Sequence, residues 1–138
     1  RAPEYDYLIA PEAKAIPLLY EMARQSGAEK YFLARKGAKA YMTGVFEVEV
    51  RSITTMHIQK LVIDTADAEL IKGKKILIVD DVISTGESLH AMEELVKRAG
   101  GIIAGKMAVL AEGDAKDRDD IITLAPLPLF NADGTVKA

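Results

Sequence analysis

The chain has no cysteine among its 138 residues, which excludes disulfides and thiolate chemistry and fits a reducing compartment, the cytoplasm. It has no run of about 18 apolar residues, the length a membrane span needs, and no signal-peptide pattern. Excess positive charge is also lacking: 18 basic against 21 acidic residues give a net charge of −3. That argues against a nucleic-acid partner, which calls for a basic face. The two histidines, His57 and His90, are too few and too separated for a zinc site. Repeats and low-complexity segments are absent. What remains is an ordinary globular balance, 49% hydrophobic and 28% charged, and a length suited to one domain over residues 1–138. The first residue is Arg1 rather than Met, so a start that is processed, trimmed or incompletely represented is expected.

Strand and helix patterns alternate along the chain. "DYLIA" (6–10) reads as a buried strand ending at Pro11. From Lys14 to Gln25 the apolar residues Ile16, Leu19, Met22 and Ala23 recur at helical spacing, and Gly27 stops that helix. "KYFLAR" (30–35) is a second strand, followed by the basic stretch "RKGAK". Phe46, Val48 and Val50 then alternate with Glu47, Glu49 and Arg51, a half-exposed strand that can pair with "MHIQKLVI" (56–63) as a hairpin. "KKILIVD" (74–80) is the strongest strand pattern. Leu89, Met92, Leu95, Val96 and Ala99 define the next helix, ended by Gly100 and Gly101. "IIAGKMAVLAE" (102–112) and "DIITL" (120–124) complete the strands, and "EGDAKDRDD" (112–120) reads as a solvated loop. Such alternation predicts an α/β fold with a mostly parallel, Rossmann-like sheet in three layers and an inserted β-hairpin.

Ligands of open parallel sheets bind beyond the carboxyl ends of the strands. Asp80 and Asp81 are placed at such an end. Two adjacent carboxylates repel unless ribose hydroxyls, a metal ion or a lysine meets them. The following "STGES" (84–88) opens a helix, and a glycine-containing turn at a helix N-terminus is an anion site. A lone strand-end aspartate often does no more than cap a helix. The pair followed by this turn suggests one ligand bearing both a diol and a phosphate, a sugar phosphate.

"VDDVISTGES" resembles the phosphoribosyl-diphosphate motif of type I phosphoribosyltransferases. "PEAKAIPL" (11–18) resembles that family's pyrophosphate loop, "ARKGAK" (34–39) the basic turn of its adenine-specific members, and "LAPLPLF" (124–130) their chain end. The resemblance implies that Asp80 and Asp81 hold the ribose hydroxyls with Mg²⁺ nearby, and that Ser84, Thr85, Gly86, Glu87 and Ser88 wrap the 5′-phosphate. It further implies that Glu12, Ala13 and Lys14 form the pyrophosphate loop, often with a non-proline cis peptide, and that Arg35, Lys36 and Lys39 add charge for the diphosphate. Residues 36–63 would be a flexible lid, with Glu49 as a carboxylate assisting the base and His57 facing solvent; His90 is read as structural. The implied activity is transfer of ribose 5-phosphate from phosphoribosyl diphosphate to a purine, adenine foremost, by a homodimer. The alternative is a regulatory or hoodless core that binds phosphoribosyl diphosphate or phosphate without base-specific catalysis. Two departures from the family pattern stand out. Ala15 occupies a position usually held by glycine, which predicts strain if a positive φ is needed. Only "RAPEY" precedes the first strand, where family members carry a small hood.

Overall fold

The computed structural model describes residues 2–51 and 58–137. The expected hairpin turn, including His57, lies outside the described residues. Strand β1 (Tyr7–Pro11) leads into helix α1 (Ile16–Ser26) and strand β2 (Phe32–Ala34). Strands β3 (Val45–Arg51) and β4 (Ile58–Asp64) form the hairpin. Helix α2 (Thr65–Ile71), strand β5 (Lys75–Ile83), helix α3 (Glu87–Arg98), strand β6 (Ile102–Glu112), a 3₁₀ turn (Gly113–Asp117) and strand β7 (Ile122–Leu127) follow. The main sheet has the order β2-β1-β5-β6-β7 and every pairing in it is parallel. No described helix is long and apolar enough to cross a membrane.

Side-chain alternation on the central strand builds two cores. Ile76 and Ile78 face one side of the sheet and join Leu89, Met92, Leu95 and Val96 of α3, Ile71 of α2, and Val48, Leu61 and Ile63 of the hairpin. Leu77 and Val79 face the other side, with Leu8 and Ala10 of β1, Leu19 and Ala23 of α1, and Ala15 just before that helix. Helices on both faces of a parallel sheet give the expected three layers. Helix α1 ends at Gly27, whose φ of 72° is the left-handed geometry glycine accepts without cost.

The hairpin is antiparallel, with Val48 opposite Leu61 and Glu49 opposite Lys60. It is tied to the main sheet through Arg35 and Val62, whose backbones exchange hydrogen bonds of 2.9 and 2.7 Å. Its buried face, Val48, Leu61 and Ile63, belongs to the larger core.

Four local expectations change. Strand β5 does not stop at residue 80: it runs through both aspartates to Ile83, because Asp80, Val82 and Ile83 stay in register with Ala108, Leu110 and Ala111 of β6. Helix α2 has no counterpart in the sequence pattern. It is only seven residues, too short for periodicity to show, and is started by the Asp64 carboxylate accepting the Ala66 N–H at 3.2 Å. Strand β7 begins two residues later than expected, since Asp120 is held by Arg118 and Lys106. It carries Pro126, which a strand at the sheet edge tolerates. Ala15 has φ −80°, so the condition under which alanine would be strained is not met, and the residue packs fully buried.

Ile78 is buried in β5 beneath α3. Ile78→Ala should lower the unfolding free energy by about 3 kcal/mol through lost burial and the cavity left behind. Guanidinium unfolding curves of the two proteins measure this, and a loss under about 1 kcal/mol would contradict the packing described.

Candidate functional site

Parallel pairing of β1, β5 and β6 brings the carboxyl ends of all three strands to one edge of the sheet. The loop after β1 meets the end of β5 there. The Glu12–Ala13 peptide is cis. The Ile16 N–H donates to the Ala13 carbonyl at 3.2 Å and closes the turn into α1. Lys14 stands exposed on this loop.

Two adjoining recesses share Asp80, Asp81 and Ser88. The first continues along the end of β5 into the turn Ser84–Thr85–Gly86 and the start of α3. The second is bounded by Pro11 to Lys14, by Lys36, and by Gln59 and Leu61 of the hairpin. A third hollow extends the second along the hairpin past Lys60 and Ile58.

The turn into α3 is built from local bonds. Gly86 caps α3 with φ 85°, a left-handed conformation that disfavours any other residue. Because the cap has no side chain, no side-chain oxygen covers the first-turn amides from that position. Thr85 Oγ1 accepts the Glu87 N–H at 3.3 Å, and Ser84 Oγ donates to Glu112 Oε1 at 3.0 Å, fixing the turn to the end of β6.

The acidic pair is half-buried. The Asp81 N–H donates to Asp80 Oδ1 at 2.8 Å. Burial, followed by the hydrogen bond shared with Asp81, pushes the Asp80 carboxyl up to about 7. Burial also opposes ionisation of Asp81, but the hydrogen bond from Asp80, backbone N–H donors and the charge of Lys14 outweigh it and hold Asp81 below its ordinary value. Near neutral pH Asp81 is therefore ionised while Asp80 is about half protonated.

Glu12, which lines the second recess, also makes bonds that the sequence did not signal. Its carboxylate accepts the Lys36 N–H at 2.8 Å and Arg35 Nη1 at 3.2 Å. The Lys36 amide foremost keeps its carboxyl below the usual range. Glu12 thus ties the loop after β1 to the loop after β2. Arg35 is spent on that bond and on the Tyr41 ring, 5.7 Å from its guanidinium carbon. Lys36 and Lys14 line the second recess, whereas Lys39 is exposed and lines neither. Glu49 is also brought to neither recess. It is exposed on the hairpin face opposite to that of Val48 and Leu61, across from Lys60.

Four residues near the site were not among the candidate site residues read from the sequence. Gln59 and Leu61 reach the second recess because the hairpin register turns them inward, a register visible only in the alternation opposite Val48 and Val50. Glu112 holds Ser84. Arg118, in the run expected to be a solvated loop, folds back against Gly86. The same run buries Ala115. Nothing in the spacing of these residues signals either contact.

Fold and site together define a doubly wound α/β protein with recesses at the carboxyl edge of a parallel sheet, where ligands of such folds bind. A family model described as the phosphoribosyl transferase domain matches residues 4–125. The chain belongs to the type I phosphoribosyltransferase family. The adenine phosphoribosyltransferase of Thermotoga maritima is 34% identical over 110 residues, 79% of this chain and 59% of that protein. An orotate phosphoribosyltransferase of Caldanaerobacter subterraneus is 29% identical over 111 residues, 80% of this chain and 47% of that one. The chain thus spans about half to three fifths of the length of these curated relatives. The crystal structure of adenine phosphoribosyltransferase from Thermoanaerobacter pseudethanolicus superposes with TM-score 0.73 at 25% identity, covering 91% of this chain and 72% of that one.

The raised Asp80 carboxyl has a consequence for stability. Between the unfolded value of about 4 and the folded value of about 7, the folded chain retains a proton that the unfolded chain releases, so this group's contribution falls as pH rises through that window. Asp80→Asn removes the penalty. The variant should melt about 3 °C or more above the wild type at pH 8, with the gap closing near pH 5. Thermal scans at the two pH values test this, and a variant no more stable than the wild type at pH 8 would contradict it.

Proposed function

We propose that the chain is the core of an enzyme that transfers ribose 5-phosphate from phosphoribosyl diphosphate to a purine base, adenine foremost, releasing pyrophosphate. The observation that carries this reading is the pair of recesses sharing Asp80 and Asp81: one ends in the Gly86 turn, the other in Lys14 and Lys36. A ligand with a diol between two phosphate groups matches that order. The kinship with adenine phosphoribosyltransferases supports the base, and the Trypanosoma brucei adenine phosphoribosyltransferase has been crystallised in complex with AMP, pyrophosphate and ribose 5-phosphate.

In this reading the first-turn amides of α3 and the Thr85 and Ser88 hydroxyls receive the 5′-phosphate, and Asp81, already ionised, accepts from a ribose hydroxyl. Lys14 and Lys36 offset charge that builds on the departing diphosphate. Breaking the glycosidic C–O bond leaves an oxocarbenium-like sugar, so the chain needs no nucleophile of its own; positioning and electrostatic stabilisation lower the barrier. Leu61 and the hairpin restrict water on one side of the recess.

The donor set suits Mg²⁺. Asp80 and Asp81 offer hard carboxylate oxygens held together tightly enough to retain a proton, and a divalent cation would displace it. No group of three or more metal-binding side chains occurs among the described residues, so substrate oxygens and water would complete the shell. When bound, the ion supplies neutralisation of the diphosphate. A homodimer in the cytoplasm belongs to the same reading.

A second reading, a module that binds phosphoribosyl diphosphate without base-specific catalysis, is favoured by the position of Glu49 outside the recesses. One assay separates the two. The chain is incubated with phosphoribosyl diphosphate, Mg²⁺ and adenine, hypoxanthine, guanine or xanthine, while nucleotide and pyrophosphate are followed. AMP formation with adenine is expected, and the double variant Asp80→Asn with Asp81→Asn should lose about 100-fold or more in turnover with an unchanged circular dichroism spectrum. No product with any base overturns the enzyme reading, and calorimetric binding of phosphoribosyl diphosphate would then establish the second.

A further inference from the structure

The recess around the Gly86 turn is lined by residues 80–86, 88 and 89, which include two carboxylates and no basic side chain. A phosphate dianion seated there meets backbone N–H groups and hydroxyls beside a negatively charged pair. Lys14 and Lys36 line the neighbouring recess instead. A cation is nonetheless close. Arg118 follows the 3₁₀ turn after β6, and its fork is braced on Asp120: Nε donates to Oδ1 at 2.8 Å and Nη2 to Oδ2 at 2.5 Å. Lys106 Nζ holds the same carboxylate at 2.9 Å and reaches Glu93 of α3 at 2.8 Å. These contacts leave Nη1 against the turn. A Cβ placed on Gly86 would lie 2.8 Å from it. Gly86 is required by its φ of 85°, and the Arg118 guanidinium packs on the face of the turn where a side chain would stand.

We propose that Arg118 is the cation of this phosphate site, its Nη1 edge facing the terminal phosphate of a sugar phosphate held in the turn. The proposal rests on the reading of residues 80–88 as a sugar-phosphate site. Asp120 is the positioning residue: by occupying two of the three guanidinium nitrogens it fixes the third and limits the rotamer freedom that binding would otherwise have to remove. Lys106 links this brace to α3, whose first turn forms the other wall of the site. A charged donor there compensates the repulsion from Asp80 and Asp81 that backbone amides alone would have to overcome.

The test is calorimetric titration of the full chain with ribose 5-phosphate and, separately, with ribose, for the wild type, Arg118→Met and Asp120→Asn, at about pH 5.5 and 7.5. On an Asp80→Asn background, which removes the carboxyl that titrates in the same window, the chain should bind ribose 5-phosphate more tightly at the higher pH, where the phosphate has lost its second proton, which leaves near pH 6. On that background Arg118→Met should bind it about tenfold or more weakly and show a flattened pH dependence, as loss of a charge-assisted hydrogen bond requires. Asp120→Asn should show a smaller loss with the pH dependence kept. A merely structural role for Arg118 would lower the melting temperature without flattening the pH dependence, and that outcome overturns the proposal. A second readout uses the wild type alone: the arginine side-chain N–H resonance of Arg118 should shift on addition of ribose 5-phosphate and stay in place with ribose. Binding with that resonance unmoved also overturns the proposal while leaving the sugar-phosphate reading intact. Failure of the wild type to bind ribose 5-phosphate overturns both.

Discussion

The structure depends on one constraint, the position of β5 between two parallel partners. Its backbone is committed to β1 on one side and β6 on the other, and from Ile76 to Val79 its side chains alternate between two cores. Burial on both faces explains the unbroken apolar run Ile76–Val79. The same parallel pairing delivers the loops after β1 and β5 to one edge, where backbone groups at strand and helix ends face outward. Had β1 been antiparallel, Lys14 and the acidic pair would lie at opposite ends of the sheet.

At that edge the strand continues into the site instead of ending before it. Asp80 remains paired in register with Ala108, and this ordered environment is what desolvates its carboxyl. The acidic pair is held in an arrangement that water alone does not favour and that a diol or cation would relieve. Around it the cations are divided. Arg35 is neutralised by Glu12, Lys14 and Lys36 remain at the second recess, and Arg118 is braced beside the turn. Charge placement, more than cavity shape, distinguishes the two recesses.

Much of this order is legible in the sequence because it rests on local rules. The apolar run before Asp80, the glycine turn after it and the helical spacing from Leu89 to Ala99 each report a backbone state directly. The hairpin is readable from the period-two alternation of Phe46, Val48 and Val50. What was not legible depends on contacts distant in the chain. Glu12 lies 24 residues from the Lys36 amide whose hydrogen bond it accepts, and that bond makes it a tie between two loops as well as part of the second recess. Glu49 alternates correctly, yet only its pairing with Lys60 shows which hairpin face it occupies. The charged run 112–120 looks like solvated loop because its ion pairs, to Lys106 and among its own members, compensate charges that composition alone counts as exposed.

The central claim is that the end of β5 and the turn into α3 together hold a sugar phosphate. Amide chemical-shift mapping of the ¹⁵N-labelled chain during titration with ribose 5-phosphate tests it most directly. The account requires the largest shifts at Ser84 to Ser88 and at Asp80 and Asp81, with the apolar interior of β5 unmoved. Shifts concentrated away from these residues, or none at saturating ligand, would contradict it.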